Sequence, residues 1–127
     1  MTFVWTTNEY SKLIITIYPT NVTLNKAACQ FFEEVNYVLL GIDEDNHEIG
    51  IKPLSKNEID MNLYPEDSLH KISLGKSYGR ITSKSFINTL NNVTNQSITD
   101  NHCLKLDATY DKAHRILKGN YSKGVVV

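Results

Sequence analysis

The feature that most constrains this fold is a repeat. Residues 14–54 and 72–119 carry the same succession: a short apolar run, a turn, a small helix, then a strand pair. At a shift of 58 positions Ile14 faces Ile72, Asn25 faces Ser83, Lys26 faces Lys84, Ala28 faces Phe86 and Phe32 faces Leu90. At a shift of 66, Tyr37-Val38-Leu39-Leu40 faces Cys103-Leu104-Lys105-Leu106, and Lys52 faces Lys118. The polar stretch 91–101 can supply the eight extra residues. Neither half is large enough to bury an apolar face alone, so the two must share a core. The expectation is an α+β fold of two similar β-α-ββ units packed as a pseudo-dimer, with small, mostly antiparallel sheets. Its parts are a first unit with an N-terminal arm (1–54), an acidic connector (55–70) and a second, basic unit (71–127).

Local signals fill in the units. The β-branched run 13–18 reads as a strand ended by Pro19, and Asn25 as the cap of a short helix over 26–34. Residues 37–42 and 48–53 read as strands around the polar turn 43–47, with Pro53 at an end. The connector has room for one helical turn near 56–59, and Pro65 stops anything longer. The second unit reads as strand 71–74, turn 77–80, helix 84–90 capped by Ser83, and mobile loop 91–101. Strands 103–106 and 114–117 then flank 110–112, before a β-prone tail over 121–127. Residues 1–10, with Trp5, add an arm or a strand.

Net charge is only -1, but it is unevenly spread. Residues 1–54 hold three lysines against seven acids, 55–70 one lysine against four acids, and 71–127 nine Lys/Arg against three acids. Such asymmetry steers an anionic partner, joins the two halves, or joins two copies of the chain.

Catalytic signals are absent from the sequence. His47, His70, His102 and His114 lack metal-ligand spacing, and Asp43-Glu44-Asp45 with Glu48 lacks the glycine and terminal glutamate of a calcium loop. No glycine stands at the first position of a phosphate loop before Gly75-Lys76-Ser77. Cys29 and Cys103 read as buried thiols. The loosest catalytic set is His102 or His114 with Asp107 or Asp111. No catalytic residue, cofactor or metal is expected. No apolar run suits a membrane span, and Met1 to Tyr10 lacks the pattern of a secretion signal, so a cytoplasmic location is expected.

The segment Gly79-Arg80-Ile81-Thr82-Ser83-Lys84-Ser85-Phe86-Ile87-Asn88-Thr89-Leu90 resembles the opening of the AbrB/MazE-like swapped-hairpin family. Gly79 and Arg80 match its opening turn, and Phe86 and Leu90 its two apolar helix positions. Ser83 and Asn25 stand where the family has proline. The related MraZ proteins carry two copies in one chain. The resemblance implies a DNA-binding transcriptional regulator that dimerises by interlocking hairpins. The implied contacts to double-stranded DNA are Lys71, Lys76, Tyr78, Arg80, Lys84, Lys105, Lys112, Arg115 and Lys118. The alternative is a non-enzymatic protein-interaction or scaffold module that binds itself or a protein partner.

Overall fold

A computed structural model describes residues 2–3, 12–94 and 102–127. The arm containing Trp5 and most of the expected 91–101 loop lie outside the described residues. Strands β1 (Leu13–Ile17), β3 (Tyr37–Asp43) and β4 (Glu48–Leu54) form where β-branched and apolar residues are dense. Two further strands are less obvious. In β2 (Asn21–Asn25) Val22 and Leu24 point inward, while Asn21, Thr23 and Asn25 face out. In β6 (Tyr78–Thr82), expected as a turn, Gly79 and Ile81 are buried between exposed Tyr78, Arg80 and Thr82. The remaining strands are β5 (His70–Leu74), β7 (Leu104–Asp111), β8 (Ile116–Asn120) and the short β9 (Val125–Val126).

Every pairing is antiparallel. The order β1-β2-β6-β5-β3-β4-β8-β7 closes on itself, because β7 also pairs with β1 from Leu13↔Ala108 to Ile17↔Leu104. The result is a closed eight-stranded barrel, with β9 extending the β8 side of β7. This corrects the expected fold class: there are no two β-α-ββ units with their own small sheets. The pairings β2–β6, β3–β5, β4–β8 and β1–β7 all cross between the halves, so neither half makes a sheet of its own. It also corrects the swapped-hairpin resemblance. One chain completes the barrel, and no hairpin has to be exchanged with a second copy.

What the halves share is register. The pair Ile15↔Leu24 recurs 57 positions on as Ile72↔Ile81, and Gly41↔Gly50 recurs 68 positions on as Thr109↔Lys118. The sequence shifts of 58 and 66 therefore misplace the strands, and the extra length lies in the longer second helix and its exit.

The helices leave opposite ends of the barrel, because β2 and β6 run antiparallel and each leads into one. Helix α1 (Lys26–Cys29) tightens into a 3-10 turn (Gln30–Phe32), which puts Ala28 and Phe32 into the core. Helix α3 (Lys84–Thr94) runs past the expected end at residue 90 and buries Phe86, Ile87 and Leu90. Between β4 and β5, the connector holds α2 (Lys56–Asp60), closed by a reciprocal capping box between Ser55 and Glu58. Phe31, beside Phe32, stacks on Tyr110 of β7 at 3.9 Å. Inside the barrel a Cβ on Gly119 would lie 3.2 Å from Leu106 and 3.3 Å from Ile15, so only glycine fits that inward position without a shift.

Asn25 ties α1 to β1. Its Oδ1 accepts from the amides of Ala28 and Ile14, both at 3.1 Å, and its Nδ2 donates to the Lys12 carbonyl. Asn25→Ala removes a cap and a strand anchor together. It should cost about 1–2 kcal/mol in chemical denaturation; a loss below about 0.3 kcal/mol would contradict this role.

The β3–β4 and β7–β8 tips share a design. Asp43 accepts from the Asn46 amide at 3.2 Å and from its side chain at 2.8 Å, while Asp111 accepts from the Ala113 and His114 amides at 3.0 and 3.2 Å. Each tip then passes through a left-handed residue, His47 (φ 57) or Arg115 (φ 56). The Asn46 side chain, then its amide, lowers the Asp43 pKa. The His114 side chain, then Lys118, holds the Asp111 carboxyl far below the usual range. A depressed carboxylate contributes stability that is complete above its unfolded pKa, about 3.9, and is lost as pH falls through the folded value. Asp43→Asn combined with Asp111→Asn should therefore flatten the acid limb of Tm against pH below about pH 4. An unchanged limb would show that these bonds carry none of the acid sensitivity.

Candidate functional site

The closed barrel redistributes charge. The sequence groups it by halves, whereas the structure groups it by wall. The wall β1-β2-β6-β5, with α1 and α3, draws on residues 12–32 and 69–94. These segments contain Lys12, Lys26, Lys71, Lys76, Arg80 and Lys84 and no aspartate or glutamate. The opposite wall β3-β4-β8-β7 and the connector (33–68 and 102–127) hold twelve acids against seven Lys/Arg. Among the described residues, positive charge from both halves thus meets on one acid-free surface.

The outward row across that wall is Ser73, Arg80, Thr23 and Thr16, and it continues onto the neighbouring β7 as Lys105, two positions from the exposed Asp107, through four strand pairings. Arg80 and Lys105 stand at either side of two threonines. Arg80 donates from Nη2 to the Tyr78 hydroxyl at 3.1 Å, and its guanidinium lies 5.6 Å from the Tyr78 ring centre. Tyr18, Asn21, Asn25 and Ser77 complete a shallow saddle around Arg80 and Thr23. The described ion pairs, His114–Asp111, Arg115–Glu58 and Lys118–Asp111, all lie on the other wall. The guanidinium of Arg80 is therefore oriented by a phenol and has no carboxylate partner among the described residues. Solvent reaches Tyr18, Tyr78 and Leu74, which adds apolar surface beside the charges.

The nine residues implied by the resemblance divide. Lys71, Lys76, Tyr78, Arg80 and Lys84 belong to the acid-free wall, and Lys105 borders it beside Thr16. Lys112, Arg115 and Lys118 sit on the β7–β8 hairpin; Arg115 approaches Glu58 at 3.5 Å and Lys118 approaches Asp111 at 3.2 Å. They do not join the first group. Sequence reasoning missed Lys12, Lys26, Tyr18, Thr16 and Thr23. The available signal was the pair of acid-free runs, which looks unremarkable until the barrel places them together.

Elsewhere the chemistry is local. Of the loose histidine–aspartate set, His114 meets Asp111 at 2.8 Å on an exposed side chain at the β7–β8 tip. Burial raises the Cys29 pKa and lowers that of His70. Among the described residues no three His, Cys, Asp or Glu side chains gather as a metal site, and no helix is long and apolar enough to cross a membrane. Comparison with known proteins returns nothing: no family profile, no curated protein and no solved structure matches the chain. The expected DNA-binding regulator of swapped-hairpin type is therefore corrected, since its fold is replaced by a barrel complete in one chain.

Proposed function

We propose that this barrel is a non-enzymatic interaction module whose β1-β2-β6-β5 wall docks an acidic segment of a protein partner. The observation that carries the reading is the acid-free wall, with Arg80 held by Tyr78 at its centre. An oriented guanidinium beside lysines recognises carboxylates, and their summed field speeds encounter. Tyr18, Tyr78 and Leu74 favour a segment that interleaves apolar residues with its acids. The module works in the cytoplasm in this reading, where Cys29 and Cys103 remain thiols.

The test is titration with a labelled synthetic peptide that alternates glutamate with leucine and phenylalanine. Affinity should fall at least about tenfold between about 0.02 M and 0.5 M salt. Lys76→Glu with Arg80→Glu should weaken binding by about tenfold or more. Lys112→Glu, on the other wall, should leave it unchanged. Equal binding by the reversed variant, or preferential binding of a DNA duplex of matched charge, would overturn the reading.

A further inference from the structure

The acidic wall carries a second and different feature. Between the connector and the start of β3 lies a cup of about 410 Å³, lined by Tyr37, Tyr64, Glu58, Glu66, Ile59 and Leu69. The local chain holds it open. The Ser55 capping box fixes Glu58 on the first turn of α2, and the left-handed Asn62 (φ 53) turns the chain back. Ser68 then donates to the Pro65 carbonyl at 2.6 Å, bracing the turn that carries Glu66.

Two carboxylates and two aromatic rings line this space, and no lysine or arginine does. One Glu58 oxygen accepts from the Ser55 amide at 3.1 Å, and Arg115 approaches that carboxylate at 3.5 Å from the β7–β8 tip. Neither phenol and neither oxygen of the Glu66 carboxylate enters a hydrogen bond or ion pair among the described residues. Lys71, the register partner of Tyr37 on β5, is the neighbouring cation on that side and lies outside the lining.

We propose that this cup binds an alkylammonium group, carried by a free organic amine or by a lysine side chain of a partner. Aromatic faces attract a cation through their quadrupole, the carboxylates supply the opposite charge, and Ile59 with Leu69 accepts the methylene stem. An anion is repelled by the same groups. The site lies where β3 meets β5, two strands along from the β6 strand that carries Arg80, and has the opposite preference. It stands or falls independently of the acidic-peptide reading.

Three probes decide it by NMR titration of the full chain: choline, its uncharged isostere 3,3-dimethylbutanol, and N-acetyl-lysine methylamide. At least one of the two cations should shift Tyr37 and Tyr64 resonances saturably, with a millimolar Kd. The neutral isostere should bind at least about fivefold more weakly. Glu66→Gln and Tyr64→Leu should each weaken the cation by about fivefold or more, and Tyr64→Phe, which keeps the ring, should bind as the parent does. Thermal melts of each variant confirm that the fold is retained. Choline binding with no lysine response assigns a free amine, and the converse assigns a partner side chain. Equal binding of the isostere, indifference to Glu66→Gln and Tyr64→Leu, or no saturable shift by either cation overturns the proposal.

Discussion

Thr16→Pro should unfold this protein or leave it at least about 3 kcal/mol less stable. Thr16 sits in the middle of β1, bonded between Thr23 of β2 and Lys105 of β7, so its amide faces a neighbour on whichever side it points. Proline removes that donor and places its ring in the ladder at the seam where the barrel closes. A matched control sits on β9. Cys103 and Val127 exchange both amide bonds, at 3.1 and 2.9 Å, so the intervening Val126 turns its amide away from β7. Val126→Pro should therefore cost less than about 1 kcal/mol. Urea unfolding followed by far-UV circular dichroism checks both. Similar costs for the two would mean that β1 is not held from both sides.

Phe32→Ala should cost about 3–5 kcal/mol, a large share of the stability of a domain this size. Phe32 is 0% exposed and lies on the 3-10 turn that follows α1. Its ring joins Ala28 and the inward strand residues in one core, and truncation leaves a cavity that the closed ring of strands has little freedom to collapse. Phe32→Leu should recover more than half of the loss. The same unfolding measurement applies; a cost under about 1 kcal/mol would show that the end of α1 does not seal the barrel.

The strands that sequence reasoning found are those whose outward positions are also β-prone. Leu13–Ile17 offers five such residues in a row. In β2 and β6 only the two inward positions carry the signal, while Asn21, Thr23 and Asn25, and Tyr78 and Arg80, resemble turn and cap residues. Gly79 reinforces the turn reading. Yet its missing Cβ is needed because Leu74 and Cys29 would stand 2.9 and 3.1 Å away. Those two hidden strands separate an expected β-α-ββ unit from the barrel: without β2 and β6, only the short β3–β5 pairing, Tyr37↔Lys71 and Val38↔His70, joins the first half to β5.

The charge pattern failed to show the site for a related reason. Counting along the chain assigns Lys112, Arg115 and Lys118 to the same cationic block as Arg80. The structure gives Arg115 a partner in Glu58, 57 positions earlier, and Lys118 a partner in Asp111 across the hairpin. Lys12 and Lys26 come instead from the acidic half by composition, but belong to the acid-free wall by topology. Both functional proposals depend on that topology, since it separates the Arg80 saddle from the Tyr64 cup.

The most direct test of ring closure is an isotope-filtered NOE experiment on an equimolar mixture of labelled and unlabelled protein. Contacts from Ile15 to Leu106 and from Thr16 to Lys105 should arise only within a single chain, in a species that sediments as a monomer. Finding those contacts between labelled and unlabelled chains, or failing to find them in the folded protein, would contradict the closed barrel and the acid-free wall it assembles.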